Sequence, residues 1–142
     1  RVLIWAQEQQ KAGVPLMVIY EELLSGSKPT DEVEVIQARI QVADEIFNAM
    51  FERNRDGQTL EAEGRIDEAI TLYEKNVADQ FIGLHPYERL RIIYTKRNDY
   101  PAAVRVCRTY LELPRSPRAR EATAKKTAKM QQHLEKLLQK TN

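Results

Sequence analysis

Two ten-residue stretches of this chain, at 64–73 and at 98–107, align with each other as copies of one pattern and begin 34 residues apart. The first copy begins with Gly and the second with Asn, two residues that readily adopt the left-handed backbone conformation that ends a helix. A short turn then leads into a new helix, near Asp67 in the first copy and near Pro101 in the second. Proline is tolerated there because its missing N–H would have no intrahelical partner. The spacing therefore predicts two helical hairpins in tandem.

Each copy also contains an alanine, Ala69 or Ala103, where the two helices of a hairpin would cross. Only a small side chain lets helix axes approach to about 8 Å. Around them, apolar residues recur at three- and four-residue spacing, so each helix has one apolar stripe. The stripes comprise Ile66, Ile70, Tyr73 and Val77 in one helix and Tyr87, Leu90, Ile93 and Tyr94 in another. Because one hairpin cannot bury both of its faces, we expect neighbouring segments to stack on it.

The residues before each copy extend the pattern. The second copy is preceded by Y-x-x-L-R-x-x-Y at 87–94, and the first by R-x-x-D-G-x-x-L at 53–60. Together with the alanines, this resembles the tetratricopeptide repeat family, whose first helix carries an aromatic, Leu-Gly and Tyr. The second copy has Arg where the family has Gly, and the first matches in its first helix mainly at Gly57. The resemblance covers about residues 50–117 and implies two repeats of a right-handed α-solenoid.

Upstream of the repeats, apolar residues at helical spacing predict a long helix, with Asp31 and Glu34 as a capping pair. Its apolar stripe comprises Val33, Ile36, Ile40, Ala43, Phe47 and Met50. This helix either continues through Gly57 or ends in a turn at 54–57. A turn would leave too few residues for a helix before Gly64, so we favour Gly57 as a close-packing glycine inside a helix.

Both ends of the chain are also predicted to be helical. Shorter helices are expected at 2–11 and 15–24, each followed by a glycine, although β-branched residues at 14–20 make a strand the second choice. Residues 25–29 are the clearest linker. Ser116 and Pro117 predict one helix from there to Thr141.

The repeat does not continue into this last helix, because a third copy would place Leu137 where alanine is required. We interpret it as a cap with one apolar face toward the second hairpin and a basic face outward. The sequence thus predicts an all-α helical-hairpin repeat array in one structural domain. Its parts are an N-terminal helical segment at 1–29, a long helix with two hairpins at 30–117, and a basic capping helix at 118–142.

Charge is unevenly distributed although the net charge is only +1. Residues 1–82 carry 8 basic and 16 acidic side chains, a net charge of −8, and residues 83–142 carry 14 basic and 5 acidic, a net charge of +9. Such a division is typical of a chain with a polyanion-binding end, an acidic partner or head-to-tail association. A single Cys and the absence of an apolar run of about 18 residues favour the cytoplasm and argue against a membrane partner.

Catalysis has little support in the sequence. His85 and His133 are far apart and isolated, so neither is expected to bind a metal or transfer a proton. Cys107 falls on an apolar stripe, where a free Cys behaves as a small hydrophobic residue. Phosphate-binding glycine loops and nucleophile elbows are missing. We therefore expect a protein that is not an enzyme and that has no cofactor and no metal site.

The resemblance implies protein–protein interaction or scaffolding, because tetratricopeptide arrays bind a peptide or a partner helix along a concave face formed by their first helices. Carried over to this chain, the candidate partner-binding residues are Asn54, Arg55 and Gln58, with Phe51 beside them, and His85, Arg89, Ile92 and Lys96. Chaperone-binding members clamp a C-terminal carboxylate with Lys, Asn and Arg. Only three candidates here are chemically similar, which argues against that ligand.

Two alternatives remain open. Basic residues near the C-terminus are candidates for phosphate binding, and without aromatic residues among them the binding of nucleic acid would be non-specific. They are Arg115, Arg118, Arg120, Lys125, Lys126 and Lys129. The other alternative is self-association as a homo-oligomer. It would be head to tail through the opposite charges, or through a short heptad seam of Met130, Leu134, Leu137 and Thr141.

Overall fold

The structure is a computed structural model that describes residues 1–28 and 30–141. Pro29 of the expected linker and Asn142 at the end of the expected cap lie outside the described residues. The all-α prediction is confirmed, because the described chain contains helices and no strand. The strand alternative for 14–20 is wrong. The helices are α1 (Val2–Lys11), α2 (Leu16–Ser25), α3 (Val33–Ala62), α4 (Ile66–Ala78), α5 (His85–Lys96), α6 (Tyr100–Leu111), α7 (Pro117–Ala122) and α8 (Ala124–Thr141).

The chain divides into two compact units, Arg1–Phe81 and Ile82–Asn142. This division differs from the single domain that we expected, because the boundary falls between the two hairpins and not at residue 29 or 117. It coincides with the change of charge, so the first unit carries the net charge of −8 and the second the net charge of +9. Each hairpin has its own packing partner: α1 and α2 pack on α3 in the first unit, and α8 packs on α6 in the second.

The two predicted hairpins are present, and their second helices, α4 and α6, begin 34 residues apart. Gly64 ends the helix before α4 with φ +79°, and Asn98 ends the helix before α6 with φ 59°. Both residues therefore adopt the left-handed conformation expected of them. Ala69 and Ala103 are fully buried, as the crossing positions require. A residue in the left-handed conformation at the turn and a buried alanine at the helix crossing thus define each hairpin.

Helix α3 is continuous through Gly57, which confirms the favoured interpretation of that glycine. A Cβ added at Gly57 would lie 2.7 Å from Cζ of Tyr73 and closer still to Cε1. Tyr73 of α4 is fully buried, and its hydroxyl donates a hydrogen bond to Glu61 Oε2 at 2.6 Å. Gly57 therefore provides the space that the Tyr73 ring occupies between α3 and α4.

This close approach leads to a stability prediction. Gly57→Ala should destabilise the first unit by about 1–3 kcal/mol, because the tyrosine ring must move and overpacking outweighs the better helix propensity of alanine. Urea denaturation measures the change. The matched control is Gln58→Ala, at the exposed neighbouring position, which we expect to be nearly neutral. Equal stability of the two variants would contradict the role assigned to Gly57.

Helix α2 is held at both ends by distant residues. At its N-terminus, Asp79 Oδ1 accepts a hydrogen bond from Leu16 N at 3.0 Å, and the Asp79 carbonyl accepts one from Met17 N at 3.1 Å. At its C-terminus, Arg39 of α3 donates to the carbonyl of Leu23 at 2.9 Å and to that of Glu22 at 2.7 Å. The bonds to Leu16 N, Met17 N and the Leu23 carbonyl supply partners for backbone groups that a helix leaves unpaired at its ends. The Glu22 carbonyl also accepts a hydrogen bond from Gly26 N at 2.8 Å.

Two expectations for α3 are wrong. Asp31 does not cap the helix, because its carboxylate accepts a hydrogen bond from Lys28 N at 2.7 Å and the helix begins after Glu32 without a side-chain cap. In the predicted apolar stripe, Ala43 and Met50 are buried, but Val33 and Ile40 are exposed. The apolar periodicity identified the helix, but it could not show how much of its length is covered by the shorter helices α1 and α2.

In the second unit, the side chains at the predicted stripe positions of α5 are buried, and so is Cys107 of α6. Met130, Leu134 and Leu137 of α8 are also buried, and α8 packs on α6. The expectation of one helix from Ser116 onward is wrong, because α7 ends before Thr123 and α8 begins after it. Ser116 does cap α7, since its hydroxyl accepts a hydrogen bond from Ala119 N at 3.1 Å.

Candidate functional site

Three candidate positions lie on one face of α3, because Phe51, Arg55 and Gln58 are spaced by four and three residues. All three side chains are exposed. Asn54 is different, since only 8% of its surface is exposed and its Oδ1 accepts a hydrogen bond from Asn76 Nδ2 at 2.9 Å. Its prediction as a partner-binding residue is therefore wrong, and Asn54 belongs to the interior.

Asn76 of α4 is the centre of this interior polar network and is fully buried. Its Nδ2 also donates to the carbonyl of Met50 at 2.8 Å, and its Oδ1 accepts from Arg53 Nη1 at 3.0 Å. Arg53 in turn forms an ion pair with Asp79 at 2.6 Å. The network joins α3, α4 and the start of α2, so it determines how these elements pack.

Phe51 lies at the exposed edge of a group of four aromatic rings, with 58% of its surface accessible. Its ring centroid is 5.7 Å from that of Phe47 and 6.4 Å from that of Phe81. Phe47 also contacts Tyr20 at 5.4 Å and Phe81 at 5.9 Å. Of the four, the sequence brings only Phe47 and Phe51 together, through their spacing of four residues. Tyr20 and Phe81 come from distant segments and carry no local signal.

The remaining predicted partner-binding residues lie on one face of α5 in the second unit. His85, Arg89, Ile92 and Lys96 follow one another at spacings of four, three and four residues. Lys96 is exposed and the other three are half-buried. The 34-residue register places the first three at the positions that Phe51, Arg55 and Gln58 occupy in α3. Each unit thus has a partly exposed face at the same repeat positions.

The predicted phosphate-binding residues do not form one uniform surface. Five are exposed, and Arg115 is half-buried over the ring of Tyr110, with its guanidinium carbon 4.5 Å from the ring centroid. Arg115 and Arg120 line the same cavity, of about 710 Å³. The exposed residues are Arg118, Arg120, Lys125, Lys126 and Lys129. The structure therefore separates a pair of arginines at a cavity from lysines on an open helix face.

The polar interior of the second unit lies around Arg91, which occupies the glycine position of the repeat pattern. Arg91 forms an ion pair with Glu88. Burial raises the pKa of the nearby Cys107 thiol to about 11, an effect that the charge of Arg91 partly offsets. A thiol with that pKa is protonated at neutral pH and is a poor nucleophile.

His133 of α8 lies near the same charges. Burial is the main cause that lowers its pKa below the ordinary value of 6.5, and the positive charge of Arg91 acts in the same direction. Lys136 and Lys129 also lower the pKa, and Glu88 raises it. The folded protein therefore favours the neutral imidazole more strongly than the unfolded chain does.

This shift predicts a pH effect on stability. Because the unfolded chain binds the proton more tightly, stability should fall as the pH decreases from about 7 through the ordinary pKa of histidine, near 6.5. His133→Gln should remove part of that loss in thermal melts at several pH values. Gln132→His, which adds an exposed histidine, should leave the pH dependence unchanged. If the parent and His133→Gln lose the same stability, the shift does not contribute.

Among the described residues, no group of three or more His, Cys, Asp or Glu side chains is placed to bind a metal ion. Within the same part of the chain, no helix combines the length and the apolar character needed to cross a membrane. No protein-family model, curated protein or solved structure matches the chain.

Proposed function

We propose that this chain is a protein-interaction module built of two tetratricopeptide-like repeats, with no enzymatic role, that acts as an adaptor or scaffold in the cytoplasm. Its partner would be a peptide or helix that binds the exposed face of α3, that of α5, or both. The observation that carries the proposal is the exposed ring of Phe51, which the rings of Phe47 and Phe81 hold in place.

An exposed aromatic ring supported by other rings suits binding for two reasons. Phe51 offers apolar area that a partner can remove from water, and its packing against Phe47 limits the rotamer freedom lost on binding. Such anchors supply much of the affinity in protein interfaces, whereas scattered exposed apolar residues do not.

Charged residues beside these faces suggest the chemistry of the partner. Arg55, one turn after Phe51 on α3, forms an ion pair with Glu52 at 3.8 Å in a unit of net charge −8. Arg89 and Lys96, by contrast, lie on the face of α5 in the unit of net charge +9. The cations of α5 favour a partner with carboxylates near an apolar side chain, because complementary charges guide association and select the partner. The proposed ligand of the α5 face is therefore an acidic amphipathic segment.

Site-specific photo-cross-linking tests this proposal. A photoreactive phenylalanine in place of Phe51 or Ile92 should cross-link to a specific protein, and the same group in place of the exposed Thr71 on α4 should not. Phe51→Glu should then weaken recovery of that protein at least about tenfold, the effect expected of an anchor residue. The same products at all three positions would contradict the proposal.

The exposed lysines of α8 support a second candidate, non-specific binding of nucleic acid. Replacing Lys125, Lys126 and Lys129 by Glu should abolish retention on nucleic acid and leave the protein partner bound. Replacing Arg89 and Lys96 by Glu should have the opposite effect. If recovery of the partner depends only on the three lysines and disappears in high salt or after nuclease treatment, the nucleic-acid function replaces the adaptor function.

A further inference from the structure

The cavity of about 710 Å³ in the second unit has a mixed lining. It lies between the end of α6, the loop that follows and helices α7 and α8. Leu111, Leu113 and Ala128 supply apolar surface, and Thr127 and Gln131 supply hydrogen-bonding groups. A volume of this size, with apolar walls and a few polar groups, is typical of sites for small organic molecules.

The position of Arg115 in this lining is firmly held. Its guanidinium lies over the ring of Tyr110, and that ring packs against Tyr87 at a centroid distance of 5.3 Å. Both tyrosines are buried. Burial raises the pKa of Tyr87 well above its usual range, and the nearby charge of Arg115 acts in the opposite direction. The arginine is therefore oriented before any ligand arrives.

Arg115 and Arg120 both line the cavity, and Glu112 leaves the lining with one excess positive charge. A guanidinium group donates charge-assisted hydrogen bonds to carboxylates and phosphates, so an anion in the cavity would gain such bonds. The net charge of +9 on this unit also raises the local concentration of anions.

We propose that this cavity binds an organic anion with one carboxylate or phosphate group attached to an apolar body. The anionic group accepts hydrogen bonds from Arg115 and Arg120, and the apolar body lies against Leu111 and Leu113. A bound inorganic anion would leave the apolar lining exposed to water, and a neutral apolar molecule would offer the two guanidinium groups no anionic acceptor. The site involves elements other than the faces of α3 and α5, so it does not depend on the proposed partner binding.

Titration of the isotopically labelled protein by NMR tests the site with four probes: hexanoate, hexyl phosphate, hexanol and inorganic phosphate. Hexanoate, hexyl phosphate or both should shift the amide signals of Leu113 and Thr127 in a saturable manner. Hexanol and inorganic phosphate should bind at least about tenfold more weakly. Hexanol has no anionic group for the arginines, and inorganic phosphate has no apolar body for the leucines. Comparison of the first two probes identifies the preferred anionic group.

Variants of the lining distinguish binding at this cavity from a general attraction of anions to the positively charged unit. Arg115→Met keeps an unbranched side chain but removes the charge, and should weaken binding at least about tenfold. Glu112→Gln removes the opposing charge and should strengthen it. Lys126→Met, which removes a positive charge from the same unit but outside the lining, should change affinity little.

Equal affinity for hexanol and hexanoate would overturn the proposal, as would an equal loss in Arg115→Met and Lys126→Met. Should Arg115→Met fail to fold, Arg120→Met decides the question. It removes the second guanidinium group of the lining from an exposed position, so it should weaken hexanoate binding at least about tenfold without unfolding the protein. Unchanged hexanoate binding in that variant would also overturn the proposal.

Discussion

Removal of residues 118–142 should leave α5 and α6 without a cooperative fold. The deletion takes away Met130, Leu134 and Leu137, which are all buried on the second hairpin. Each such side chain contributes about 1.5–3 kcal/mol, and the sum approaches the total stability of about 5–15 kcal/mol typical of a small domain. Amide hydrogen exchange of Ile93 and Val106 measures the effect, and both amides should lose their protection.

A point variant and its control refine this prediction. Leu134→Ala should destabilise the second unit by about 2–5 kcal/mol, and Gln132→Ala, on the exposed side of the same helix, should be nearly neutral. If the three apolar residues formed a dimer seam instead, the truncated chain would stay folded and sediment as a monomer where the parent is a dimer. Sedimentation velocity distinguishes the two results.

Asn76→Leu should destabilise the first unit by about 3–5 kcal/mol. Leucine is similar in volume, but it leaves the Met50 carbonyl, Asn54 Oδ1 and one bond of Arg53 without their present partner. Buried polar groups and charges that lose a partner are among the most destabilising changes known in proteins. The midpoint of urea denaturation, followed by the fluorescence of Trp5, measures the loss.

The size of this effect depends on the network and not on the loss of an asparagine as such. Asn48→Leu places the same substitution at an exposed position of α3 and should change stability by less than about 0.5 kcal/mol. Asn54→Leu removes only one hydrogen bond to Asn76 and should have an intermediate effect. A neutral Asn76→Leu variant would show that the network does not contribute to stability.

Much of this architecture follows from features that act over a few residues. Gly64 and Asn98 end helices because of their own backbone preferences, and Ser116 caps α7 through a residue only three positions away. The apolar periodicity of α5 and α8 identifies their buried faces, whereas Ile66 and Ile70 of the α4 stripe are only half-buried. The small residue Gly57 indicated close packing because a continuous helix was the only arrangement with enough residues before Gly64.

The binding faces were predictable only in part. The resemblance to the repeat family implied a binding role for Phe51, Arg55 and Gln58, and all three side chains are exposed on one face of α3. It could not show that Asn54 is buried, because the environment of Asn54 depends on Asn76, 22 residues further along the chain. The positions of Tyr20 and Phe81 beside Phe47 depend equally on the packing of distant segments.

What the sequence specifies here is therefore most of the helices, the helix ends at Gly64, Asn98 and Ser116, and the hairpins, because these depend on backbone preferences and on side chains one or two turns apart. Tertiary packing decides the rest. The bond from Leu16 to Asp79 joins residues 63 positions apart, and the Arg115 cavity needs α6, the following loop, α7 and α8 together. Neither the bond nor the cavity produces a local pattern in the sequence, since the free energy of such contacts depends on which surfaces meet after the helices have formed.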